Sequence, residues 1–403
     1  MQRISIIRPA IMLALAVSTI LTSGQGCQGP NNLPPDFSVI TSCGLSATEC
    51  VPLAGSSPYA LAVSDLNNNG ILDLVSVNFG ANNITILLNN GDGTLTSAGN
   101  KATARNPLSA VLGDFNGNGL LDIAVGGGFH ISLFYNEGNG RFSSPSRIDM
   151  DYTPSNLATA DFNGDGHIDL ASANGAYDNI TVFTNDGTGR FTQTQIIRVS
   201  LYFVQLNGLI AADLNGNGRP DLAASHRFSG NVSVLLNDGQ GHFTEQKTVT
   251  VRPGHLFNGM NAGDLNGDGL IDLIVADNGD PFDEQDTGGL LILFNNGGGD
   301  FAPPVEVAAG DSPVWPAVAD LNGNGAADLA VANNVSGDVS LLFNDGQGSF
   351  SLVENVTVGA GPSFVAPADL DSDGAVDLAV ANFTANTISV LLNDGSGLFA
   401  VSE

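Results

Sequence analysis

One nine-residue phrase, D-x-[DN]-x-[DN]-G-x-x-D, recurs seven times in this chain. The copies are DLNNNGILD from Asp65, DFNGNGLLD from Asp114, DFNGDGHID from Asp161, DLNGNGRPD from Asp213, DLNGDGLID from Asp264, DLNGNGAAD from Asp320 and DLDSDGAVD from Asp369. Successive first Asp residues are 49, 47, 52, 51, 56 and 49 positions apart. A steady period of that size marks a repeat architecture, in which each copy is one supersecondary unit.

A second phrase keeps step with the first. It begins at Asn89, Asn136, Asn185, Asn237, Asn295, Asn344 and Asn393, and a typical copy is NDGTGRF. Short apolar runs lie between the phrases: Ala60–Val63 before a loop, Leu74–Val77 after it, then Ile84–Leu88, and a weaker run such as Thr248–Val251 after the Asn-Asp-Gly turn. Each has strand length and is bounded by turn residues, so a repeat reads as four strands. Sustained helical spacing is absent after residue 30.

Four antiparallel strands per repeat and seven repeats predict an all-β fold, a seven-bladed β-propeller. An open solenoid would need capped ends. The last repeat stops soon after Phe399, before its outer strand. Asp36–Ile40 or Cys50–Leu53 could supply that strand, so the two termini are expected to share the last blade. The expected division is 1–26 as a signal peptide, 27–50 as a linker or closing segment and 51–403 as the propeller.

The loop phrase has the donor pattern of a calcium loop. A hard cation takes six to eight oxygens, and Gly at the sixth position allows the sharp turn. The expected donors are Asp65, Asn67, Asn69, Asp73 and the Ile71 carbonyl in the first loop, and Asp114, Asn116, Asn118, Asp122 and the Leu120 carbonyl in the second. The third offers Asp161, Asn163, Asp165, Asp169 and the His167 carbonyl, and the fourth Asp213, Asn215, Asn217, Asp221 and the Arg219 carbonyl. The fifth offers Asp264, Asn266, Asp268, Asp272 and the Leu270 carbonyl, and the sixth Asp320, Asn322, Asn324, Asp328 and the Ala326 carbonyl. In the seventh they are Asp369, Asp371, Asp373, Asp377 and the Ala375 carbonyl. Up to seven Ca²⁺ are therefore expected. Carboxylate count ranks the Asp369 loop first, the Asp161 and Asp264 loops next and the remaining four last. On that ranking Asp369→Ala or Asp377→Ala costs more than Asp320→Ala.

This pattern resembles the FG-GAP/VCBS repeat family, whose members include the propeller of integrin α-subunits and a seven-bladed fungal lectin. The resemblance covers roughly residues 50–403. It implies the propeller fold and bound calcium. It leaves function open, because the family includes lectins, adhesion modules and polysaccharide-lyase domains.

Net charge is −29, from 41 acidic residues against 12 Lys and Arg. A duplex or an anionic membrane surface would repel such a chain, so nucleic acid is excluded as a partner. Arg3 and Arg8 precede an apolar run from Ala10 to Leu21 that is followed by small residues, the layout of an export signal. The run is too short for a membrane span. Cys27 is a candidate for lipidation, which would anchor the exported chain at a cell surface or in a periplasm; without it the chain is secreted. Cys43 and Cys50 are expected to form a small disulfide loop.

Strand order places the calcium loops and the Asn-Asp-Gly turns on one face. The opposite face holds the entry to the first strand and the connection between the second and third. Aromatic, His and Arg residues concentrate there: Tyr59, Phe129, His130, Tyr177, His226, Arg227, Phe228, Phe257, Trp315 and Phe364 are the candidate ligand residues. The expected role is an exported binding module for carbohydrate or a surface protein. The alternatives are a polysaccharide lyase or hydrolase working in the funnel, and an adhesion module with no small ligand. No nucleophile elbow, phosphate loop or zinc box is present.

Overall fold

The computed structural model describes residues 49–52, 55–200, 203–283 and 285–400. The export segment, Cys27, Asp36–Ile40 and Cys43 lie outside them. Among the described residues the only helical piece is the 3₁₀ turn Gly175–Tyr177. Everything else regular is β: seven antiparallel sheets that are the expected blades, and a two-stranded ribbon of Asn136–Gly138 with Arg141–Phe142 in the second repeat.

Blade 1 shows the plan. Its strands are Pro58–Ser64, Asp73–Asn78, Asn83–Asn89 and Leu95–Ala102, paired in that order. The second strand is buried along its whole length, because other blades cover both of its faces. That is why it reads as an unbroken run of apolar and small residues rather than an alternation. The fourth strand is mostly exposed and correspondingly polar.

The seven inner strands meet their neighbours around a central channel, and Pro362–Ala368 of blade 7 returns against Pro58–Ser64 of blade 1. Seven apolar clusters hold the ring, one at each blade–blade boundary; Leu61, Leu74, Ala366 and Val390 belong to the cluster that joins blade 7 to blade 1. Closure therefore buries both faces of every blade.

Glu49–Pro52 forms the outer strand of blade 7, with Glu49 opposite Val390 and Pro52 opposite Thr387. The termini share the last blade, and of the two candidate segments the one containing Cys50 and Val51 does the pairing. The strand begins just ahead of the boundary expected at residue 51. Five inner strands carry a register shift at their entry, between Pro58 and Ala60, Leu206 and Gly208, Phe257 and Met260, Pro313 and Pro316, and Pro362 and Phe364. Such bulges re-aim side chains, and here they sit at the mouth of the channel.

Candidate functional site

The calcium-type loops join first to second strands, and the Asn-Asp-Gly turns join third to fourth, so both lie on one face. In the first loop the Asp65 carboxylate accepts N–H bonds from Asn69 at 3.1 Å and Gly70 at 2.8 Å, and Asn69 Oδ1 accepts from Ile71 at 2.8 Å. Side-chain oxygens are thus turned inward by the loop's own backbone. The Gly at the sixth position is left-handed throughout, from φ 79° at Gly218 to 92° at Gly374. Position four is left-handed too, and there Asn68 and Ser372 stand where the other five loops have Gly.

The ninth-position Asp has a different setting. Asp73, Asp122, Asp169, Asp221, Asp272, Asp328 and Asp377 are all fully buried. Asp73 accepts from the Leu66 N–H and the Asn89 N–H, both at 2.9 Å, and thereby ties the loop to the third strand. The same pair of bonds recurs in every blade, down to Leu370 and Asn393 on Asp377. Burial pushes these carboxyls up, to about 6 for Asp169 and Asp377, although the backbone donors pull the other way.

The seventh loop stands apart. Oxygens of Asp369, Asp371 and Asp373 lie within 4.8 Å of one another. Asp369 Oδ1 is buried and has no hydrogen-bond partner. In the third and fifth loops an amide already bridges the donors, Asn163 to Asp165 at 2.9 Å and Asn266 to Asp268 at 3.0 Å. An all-carboxylate cluster with an orphaned buried oxygen fits a hard cation better than water alone.

The Asn that opens each second phrase proves to be a staple between blades. Asn89 Nδ2 donates to Leu72 O in its own loop and to Leu370 O in blade 7. The other six repeat this one blade along, for example Asn237 to Pro220 O and Phe162 O, both at 2.9 Å. The aromatic of the second phrase packs at the same boundary: Phe191 meets Phe115 edge-on at 5.6 Å, and Phe243 meets Phe162 at 5.5 Å. The staple itself was missed. Its signal is the fixed in-phase Asn, which a turn preference alone would not hold constant.

On the opposite face the channel opens into a cavity of about 1020 Å³. The residue six places before the first loop Asp lines it in every blade: Tyr59, Leu108, Ser155, Asn207, Asn258, Val314 and Ser363. Five of these fall at the bulges, which turn them inward. A second tier comes from the connection between second and third strands: Phe79, Gly128, Arg227, Asn334 and Phe383. Tyr59, Phe79 and Phe383 form one aromatic wall with ring centroids 6.0–6.2 Å apart. Trp315 and Phe364 lie 5.8 Å apart where the cavity narrows into the channel.

Of the ten candidate ligand residues, Tyr59, Phe129, His130, Arg227 and Trp315 line the cavity, and Phe364 lines the channel below it. Tyr177 packs at a tilt against Tyr152 at 4.8 Å, and Phe228 stacks on Phe203 at 5.8 Å, outside the cavity wall. Two candidates are core residues. Phe257 is wholly buried between blades 4 and 5. His226 is buried against Ser233 Oγ at 2.9 Å and Ser229 Oγ at 3.2 Å, and burial lowers its pKa to about 4. Both alternate with their lining neighbours Asn258 and Arg227, because successive strand residues face opposite ways. Arg105, Asn106, Asn207, Asn258 and Asn334 are cavity residues that the search for aromatics passed over.

Fold and site together define a closed propeller with a loop face rich in oxygen donors and an opposite face with an open cavity. The FG-GAP-like repeat model matches six overlapping stretches, 65–125, 114–172, 161–224, 213–275, 264–331 and 320–380, and the chain belongs to that family. No curated protein matches it. Similar solved folds include an Agrocybe aegerita lectin that recognises non-reducing terminal N-acetylglucosamine, at 21% identity and TM-score 0.54 over 75% of this chain and 80% of that one. A periplasmic gluconolactonase from Pseudomonas aeruginosa has 16% identity and TM-score 0.55 over 75% and 86% of the two chains. A virginiamycin B lyase from Staphylococcus aureus has 13% identity and TM-score 0.54 over 85% and 98%. At these identities the likeness shows the fold alone. No helix among the described residues is long and apolar enough to cross a membrane.

Proposed function

We propose that this chain is an exported binding module whose loop face holds calcium and whose opposite cavity takes a carbohydrate. The observation that carries the reading is the cavity itself: every blade contributes a residue at one sequence offset, and one aromatic wall shares the cavity with amides and hydroxyls. Aromatic faces stack on the apolar faces of sugars, while Asn and Ser meet their hydroxyls. Asp369, Asp371 and Asp373 would hold calcium in the seventh loop, and the six other loops offer the same positions. Bound calcium would supply the positive charge that these loops lack and would link folding to metal. The lectin's recognition of N-acetylglucosamine supports carbohydrate over a surface protein.

Catalysis has weaker support. Burial raises the Tyr59 pKa, which moves that hydroxyl away from a base role at neutral pH. A glycan array probed with calcium-loaded protein, repeated after chelation, tests the proposal. Saccharide binding that Trp315→Ala removes without lowering the melting temperature is the expected result. Binding to no saccharide, with or without calcium, would refute it.

A further inference from the structure

The cavity is electrostatically out of character with the chain. Acidic residues outnumber basic ones 41 to 12, yet among the described residues no Asp or Glu lines the cavity, while Arg105, Arg227 and His130 do. Other carboxylates stand on this face outside the cavity wall: the blade-5 connection carries Asp277, Asp280 and Asp286, with Asp277 paired to Arg252 at 3.4 Å and to His255 at 3.0 Å. Asp178 accepts N–H bonds from Val204 and Gln205, and Asp149 pairs with Arg147 at 3.0 Å. The Arg227 guanidinium lies 5.9 Å from the Phe228 ring, at the cavity's edge. Arg105 is exposed at the mouth, one blade away from Tyr59 and Phe79.

On the reading that the cavity takes a carbohydrate, we propose that its ligand is an acidic oligosaccharide, a run of sugars carrying carboxylates. Low-dielectric walls focus the field of the guanidinium groups into the opening, while the acidic exterior repels anions elsewhere. Guanidinium also matches a carboxylate in shape, since it can donate two parallel N–H bonds. At about 1020 Å³ the cavity is at the top of the roughly 300–1,000 Å³ range of small-ligand sites, so it has room for more than one ring. The aromatic wall of Tyr59, Phe79 and Phe383 would take a sugar face, and the amides of Asn207 and Asn258 its hydroxyls.

The test is titration calorimetry of calcium-loaded full chain with three uronate probes: oligogalacturonate, oligomannuronate and a hyaluronan oligosaccharide. Each is paired with its carboxyl-reduced counterpart, and galacturonate monomer serves as the small-acid control. At least one uronate oligomer should bind tenfold or more tightly than its reduced form and than the monomer. Its affinity should fall as salt rises. Arg105→Gln with Arg227→Gln should remove most of that preference, with an unchanged melting temperature. Equal binding of charged and reduced oligomers, indifferent to both Arg substitutions, would overturn the acidic ligand and leave the carbohydrate reading standing. Failure of every oligomer, charged or reduced, would remove both. Binding of the monomer as tightly as the oligomers would point to a small acid and overturn the oligosaccharide.

Discussion

Asn237 shows how one side chain can serve two levels of structure. Its amide closes its own loop through Pro220 O and crosses to blade 3 through Phe162 O. Asn237→Ala leaves both buried carbonyls without a donor, so a loss of roughly 2–4 kcal/mol is expected in urea unfolding. A loss below about 0.5 kcal/mol would show the staple to be incidental. His226 occupies the second-strand end position where Asn78, Asn174, Asn333 and Asn382 stand in other blades. Its folded pKa of about 4 is below the ordinary 6.5. Between those values the unfolded chain binds a proton that the folded chain refuses, so stability falls as pH drops through this window. Wild type should therefore lose on the order of 2–3 kcal/mol more than His226→Asn between pH 7 and pH 4.5, read from paired urea curves. Parallel losses would contradict the assignment.

At the scale of the loop, the metal-ranking argument divides into two. First, third and fifth positions present oxygens to the loop interior, whereas the ninth is buried and bonded alike in every blade. Asp377→Ala should therefore cost about as much as Asp328→Ala in chelated protein, because both break the same two backbone bonds. The carboxylate ranking belongs to the exposed positions instead. Asp373→Asn should leave the melting temperature in EDTA unchanged and weaken calcium binding at the seventh loop by about tenfold. A lower melting temperature in EDTA would show that Asp373 is a folding residue rather than a metal donor. The nine-residue phrase made the loop legible, since its residue types are those that turn and donate. The burial of the ninth Asp was not legible, because its partner Asn89 is 16 positions away and its role depends on the third strand's return.

At the scale of the whole chain, period and strand count were enough to foresee the ring, and the missing outer strand after Phe399 foretold the shared blade. The cavity was only half legible. Topology gave the face, and five of the ten chosen residues reach the cavity wall. The inward tilt that selects Asn258 over Phe257 comes from a bulge that leaves no mark in composition. The charge reversal inside the cavity also escaped notice, since it concerns which few residues of a −29 chain converge on one opening. The ring itself predicts a collective response to metal. Each loop is bonded to the next blade's Asn, so ions that order the loops also order the boundaries. A site at ten times its Kd adds about 1.4 kcal/mol, so several filled loops would raise the melting temperature by far more than one would.

The most direct measurement is calcium titration into fully chelated protein, with bound metal counted by elemental analysis and melting followed by calorimetry. The account predicts several ions per chain, the first entering the Asp369 loop, and a melting temperature that climbs with each addition. Less than one ion per chain, with one melting temperature in calcium and in EDTA, would contradict it.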